Sequence, residues 1–188
     1  MSTAVAFHFP ASLYVTGSAC QGLFVRALPP DPSFHAELMA VGVDVDRLLP
    51  RYPLKVWLDG MAVARRHFFP GHTEQQANWL LGRLFLQGFV DTMVGRVAGS
   101  LLPMLGPARM LERTQRHFAL ARPDIRVTVQ VVGETERRLL FEGGRTAASA
   151  DFAGGILEAE MERTRTRTRA EVTVEDRQAT SYVLRVRW

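Results

Sequence analysis

The chain has 188 residues, 47% of them apolar, with 23 basic and 19 acidic side chains and a formal net charge of +4. That excludes a disordered chain and suffices for one core, burying roughly 70% of the unfolded surface without disulfides or metal. Cys20 is the single cysteine, which excludes an internal disulfide or paired-cysteine metal site and suits a reducing compartment.

The first eleven residues carry no basic leader before their apolar run, so no signal peptide and a cytoplasmic setting are expected. Residues 1–30 read as N-terminal strands. Val5, Phe7 and Phe9 alternate at period two, 13–15 and 23–25 are β-prone, and Pro29, Pro30, Asp31 and Pro32 close the section as a loop.

Residues 44–121 read as the helical part. Asp44 and Asp46 suit the caps of a short turn through Leu49. Pro53 suits the start of a helix to about Phe68, with Trp57, Met61, Ala64 and Phe68 on one face, stopped by Pro70 and Gly71. Thr73 and Gln76 form a capping box for a helix from Glu74 to about Leu102. At 100° per residue, Ala77, Leu81, Gly88, Gly95 and Gly99 share one arc. Trp79, Leu86, Val90, Met93 and Val97 share the opposite arc, with Arg83, Gln87 and Asp91 on a solvent strip between. Each interior glycine costs about 1 kcal/mol against alanine, so a helix with one small and one large apolar face is expected to be central. Pro103 ends it, and Gly106 and Pro107 open a further helix to about Ala121.

Residues 125–188 read as hairpin, helix, hairpin. Ile125, Val127, Val129 and Val131 alternate with polar residues, 133–136 turns, and 138–142 returns. Asp151 suits the cap of a helix carrying Phe152, Ile156, Leu157 and Met161, before strands at 170–175 and 181–188. The whole reads as one α+β domain, a central helical bundle on one face of an antiparallel β-sheet.

No nucleophile elbow, phosphate loop or dinucleotide fingerprint is present, so no catalytic residue is assigned and the protein is expected to be non-enzymatic. His67 and His72 straddle a helix break and make no metal pair. Glu158, Glu160 and Glu162 read as a solvated helix face. The apolar stretch 79–105 carries Arg83, Asp91 and Arg96, which argues against a membrane span.

Three features could carry function. Trp57, Trp79, Phe85, Phe89 and Met93 surround the central helix, as core or as the wall of a pocket for a small apolar ligand. His117 lies late on the helix before the hairpin, as a surface or satisfied histidine or as an axial ligand for haem iron. If 163–169 is extended, Arg163, Arg165, Arg167 and Arg169 line one face, with Arg185 and Arg187 nearby on the sheet. Such a stripe could take phosphates, anionic lipid or an acidic partner; the plainer reading is a solvated segment. Few aromatics lie nearby to stack bases, which argues against nucleic acid.

Tyr52-Pro53, Trp57, Ala64-Arg65, Phe69-Pro70-Gly71, Leu81-Gly82-Arg83, Gly88-Phe89, Thr92, Gly95-Arg96, Leu105-Gly106-Pro107, Phe152-Ala153-Gly154, Leu157-Glu158 and the ending Tyr182 to Trp188 stand in an order and spacing that resembles a myxobacterial paralogous family of uncharacterised proteins. The resemblance covers the chain from about Gly17 onward and carries over no catalytic residue. The layout of helices then hairpins also resembles a ligand-binding superfold shared by haem nitric-oxide sensors, vinyl-reductase-like sensors and trafficking-complex subunits. Its haem branch implies a histidine before the hairpin, where His117 stands, and a Tyr-x-Ser-x-Arg clamp after it. No tyrosine lies between 125 and 145, so no cofactor is assigned. The leading expectation is a regulatory or sensory module for a small apolar ligand or a partner protein. The alternatives are a homodimeric scaffold and an anion or nucleic-acid binder through the arginine stripe.

Overall fold

The structure is a computed structural model and describes residues 13–100, 102–122, 124–143, 148–166 and 169–188. The expected strand at Val5, Phe7 and Phe9 and the residue Arg167 lie outside them.

The N-terminal section is mostly helical, against expectation. Only β1 (Tyr14–Thr16) is a strand, and it pairs antiparallel with β2 (Arg51–Pro53), far along the chain. From Gly17 the chain coils through α1 (Gly17–Cys20) into a π-helical segment, Gln21–Ala27. The reason is visible in burial. Ala19, Cys20, Leu23 and Phe24 are all within the core, and that spacing is helical. Tertiary packing overrides the strand propensity of Leu23, Phe24 and Val25.

A further helix, α2 (Pro32–Ala40), stands where a loop was expected to lead onward. Asp31 caps it, its carboxylate accepting the Ser33 and Phe34 amides, and Pro32 fills the first position. The Ser33 hydroxyl and the Phe34 amide hold the Asp31 carboxyl down to about 2.

Helix α3 (Leu54–Phe68) follows the expected bounds, and α4 (Glu74–Val90) begins with the expected capping box. Helix α4 ends sooner than its apolar pattern suggests. Thr92 bonds the Phe89 carbonyl and caps a new helix, α5 (Met93–Gly99). Gly95 fits that corner because a Cβ there would lie 1.7 Å from the Phe89 oxygen. A 3₁₀ turn (Leu102–Met104) leads to α6 (Pro107–Glu112) and α7 (Thr114–Ala121), two helices broken at Arg113 where one was expected.

The C-terminal half follows the pattern closely. Strands β3 (Arg126–Gly133) and β4 (Glu136–Glu142), helix α8 (Ala148–Glu162), and strands β5 (Glu171–Arg177) and β6 (Ser181–Arg187) form an antiparallel sheet ordered β3-β4-β6-β5. Leu139, Phe141, Tyr182, Leu184 and Val186 turn one face of it into the core. The molecule is an α+β fold, with helices over that face.

Helix α4 is central, as expected, and touches backbone on two sides. Gly88 meets Gly22 of the π-helical segment so closely that a Cβ would fall 2.1 Å from the Gly22 oxygen. On the other side Gly82 and Gly155 let α4 and α8 touch, with hypothetical Cβ atoms 2.1 Å from the Phe152 oxygen and 2.0 Å from the Trp79 oxygen. Among the described residues no helix is long and apolar enough to cross a membrane.

Candidate functional site

Three of the five large side chains singled out around α4 do converge. Trp57 from α3 and Phe85 and Phe89 from α4 form a buried aromatic cluster with Phe24, and the half-buried Phe152 packs against it. Trp57 lies 5.3 Å from Phe24, 6.3 Å from Phe85 and 5.9 Å from Phe152, and Phe85 stacks on Phe89 at 5.2 Å. These are ring-on-ring contacts, so the cluster is filled core.

The other two stand apart. Trp79 lies in the α4–α8 seam, its ring over Gly154 and its indole N–H donating to Glu158 at 2.8 Å. Arg83 was expected on a solvent strip, but it bonds Glu158 at 2.6 Å and Glu162 at 2.9 Å. Met93 is 76% exposed, because α5 turns away from the axis of α4. Only one straight helix would keep Met93 on the large arc, and Thr92 breaks it.

His117 on α7 is not a surface residue. Its Nδ1 lies 3.0 Å from Oε1 of Glu160 on α8, a carboxylate that is buried rather than solvated. Burial alone would lower the imidazole, but the Glu160 hydrogen bond and charge outweigh it and hold His117 above its ordinary value. The Glu160 Oε2 atom and the nearby Thr114 hydroxyl one turn before His117 are buried without a partner. Cys20 is also buried, and desolvation pushes its thiol up to about 12, which makes it unreactive.

The arginines do not form one stripe. Arg163 and Arg165 follow α8 in a turn and Arg169 precedes β5, so these three do not share a strand face. Arg185 and Arg187 are on the sheet, but both bond Glu136, at 2.7 and 2.9 Å. Arg138 and Arg185 stand opposite each other, and Glu175 at the β5 bulge reaches both, at 2.6 and 3.5 Å. Arg138, Arg185 and Arg187 are thus neutralised in place. Among the described residues no three His, Cys, Asp or Glu side chains are placed to hold a metal.

An open groove that sequence reasoning did not find lies elsewhere. Thr16, Gly17, Ser18 and Gln21 form one side, Leu48, Leu49 and Pro50 another, and Val94 of α5 a third. Gly17 presses on the 48–50 loop, its amide donating to the Pro50 carbonyl at 2.8 Å. Thr16 and Ser18 share a hydroxyl hydrogen bond of 3.0 Å. Leu49 is 55% exposed and Val97, one turn beyond Val94, is 76% exposed. The sequence signal was Val94 and Val97 within the long apolar run. Its surface exposure depends on the Thr92 corner.

The fold is that of known haem domains. An unliganded Fe(II) H-NOX mutant protein from K. algicida superposes with a TM-score of 0.66 at 14% identity, covering 92% of this chain and 95% of that one. A protein studied for modulation of haem redox potential through porphyrin distortion gives 0.65 at 15% identity, covering 92% and 97%. An oxygen-binding H-NOX domain related to soluble guanylate cyclases gives 0.61 at 15% identity, covering 91% of each chain. No curated protein matches. Residues 13–188 match the family described as "Protein of unknown function (DUF2378)", and the chain belongs to that family.

Haem can be tested against the residues present. His117 has suitable chemistry, since a carboxylate on Nδ1 leaves Nε2 as the metal-facing nitrogen. Among the described residues the Trp57, Phe85 and Phe152 rings pack on one another, and α4 meets α8 through Gly82, Gly154 and Gly155. The tyrosine of the clamp is missing between 125 and 145. The histidine is therefore in place, whereas the tyrosine that would hold a porphyrin propionate in the clamp is not.

Proposed function

We propose that this chain is a non-enzymatic sensory or regulatory module that takes a small, mainly apolar molecule at the groove of 16–21, 48–50 and 94, and works without haem. The observation that carries the reading is the exposure of Leu49, Val94 and Val97 beside a concave surface. Apolar side chains gathered around a concavity are what a site for an apolar molecule presents. The groove also adjoins the start of a π-helical segment, a geometry enriched at functional positions. Likeness to ligand-sensing domains supports a sensory role at the level of fold.

The test is native mass spectrometry with a visible absorption spectrum on freshly purified protein. A retained apolar mass with no Soret band is expected, and Leu49→Asp with Val94→Asp should release it while circular dichroism stays unchanged. A haem mass with a Soret band would overturn the haem-free reading. A clean apo mass, together with no groove-dependent binding of an apolar fluorescent dye, would overturn the ligand reading in favour of a protein partner.

A further inference from the structure

The sheet has two edges, and they are built differently. A free edge exposes unpaired N–H and C=O groups that can template another chain, and monomers usually block it with charge, proline or a bulge. Strand β5 follows that rule, with Glu171, Glu175, Asp176 and Arg177 along it and a bulge between Val174 and Asp176. Strand β3 has no charged residue from Val127 to Gly133, and Val131 and Val132 are 66% and 49% exposed.

The direction of the free groups follows from one side chain. Gln115 of α7 accepts the Val127 N–H and donates to the Ile125 carbonyl at 3.5 Å, so these groups face away from β4. Antiparallel pairing alternates inward and outward groups, so Val129 and Val131 also present their N–H and C=O outward, before the β3 bulge that lies between Val131 and Gly133. Gln115 closes the first part of the edge, and nothing among the described residues closes the next.

We propose that this edge pairs with the same edge of a second copy, antiparallel, about a two-fold axis through Gln130. Val129 then faces Val131 of the other copy, and the reverse, giving four backbone hydrogen bonds and two cross-strand valine pairs. In that register Arg126 faces the turn carrying Glu134 of the second copy. Both are exposed, and neither has an ion pair within its own chain among the described residues. The strand is therefore self-complementary in hydrogen bonding, apolar contact and charge, which favours a second copy over an unrelated peptide. The two four-stranded sheets would join into one continuous sheet.

Light scattering across a dilution series of the full chain tests this. The expected species has twice the 21.0 kDa chain mass, with slow amide exchange at Val129 and Val131. V131K, at an exposed position, should leave a folded monomer. R126E sets like charges opposite each other twice by symmetry and should weaken the dimer by roughly tenfold. The charge swap R126E/E134R should restore it, which separates loss of pairing from loss of fold. A monomer at every concentration would overturn the proposal, as would a dimer indifferent to V131K and R126E.

Discussion

The α4–α8 seam and the outer face of the sheet join elements by opposite means. In the seam, Gly82 and Gly155 bring backbone to within van der Waals contact, and Trp79 closes over Gly154. On the sheet, Glu136 and Glu175 hold Arg138, Arg185 and Arg187 across strands in partial exposure to solvent. Steric contact tolerates no added atom, whereas long charged side chains can re-aim and water can replace them. Stability should therefore concentrate in the seam, and the sheet face should absorb change.

The sharpest way to break the comparison is Gly82→Ala. Its Cβ has no room beside the Phe152 carbonyl, so urea denaturation should show a loss of about 3 kcal/mol or more. A loss below about 1 kcal/mol would mean the helices separate easily.

The His117–Glu160 pair lies between these extremes, buried like the seam but ionic like the sheet. Replacing His117 by Gln leaves a buried carboxylate underpartnered and should cost about 2 kcal/mol near pH 6. A raised folded value means the stabilisation is complete below the unfolded value of 6.5 and fades as pH rises through the folded one. The stability gap between wild type and H117Q should therefore narrow as pH rises above the unfolded value of 6.5. A gap that widens over that range would reverse the assignment.

The smallest effect is expected at Glu175→Gln, which leaves Arg138 and Arg185 facing each other. Exposed pairs contribute about 0.2–1 kcal/mol, and the difference should vanish in high salt. Persistence at high salt would show that the bulge depends on Glu175 for shape as well as charge.

Legibility followed locality. The capping box at Thr73, the stop at Pro70 and Gly71, and the alternating strands β3, β4 and β6 use signals within a few residues, and all were readable. The central position of α4 was readable too, since glycines that lower helix propensity are retained where backbone must touch. The helical state of Gly17–Ala27 is hidden in the sequence, because its β-prone residues coil only through contact with α4. The exposure of Met93 is not legible in the sequence, because the Thr92 corner looks like any threonine in an apolar run. Glu160 looks solvated in the sequence because nothing near it announces His117, 43 residues away.

By itself the sequence determined the fold class, most of the elements and the family, because those depend on periodicity, caps and the order and spacing of short blocks along one chain. Only the tertiary structure decided which arginines were already neutralised, which aromatics met, which apolar side chains remained exposed beside a groove, and which sheet edge stayed free. Each of those depends on groups distant in sequence occupying one volume, and that is settled by packing.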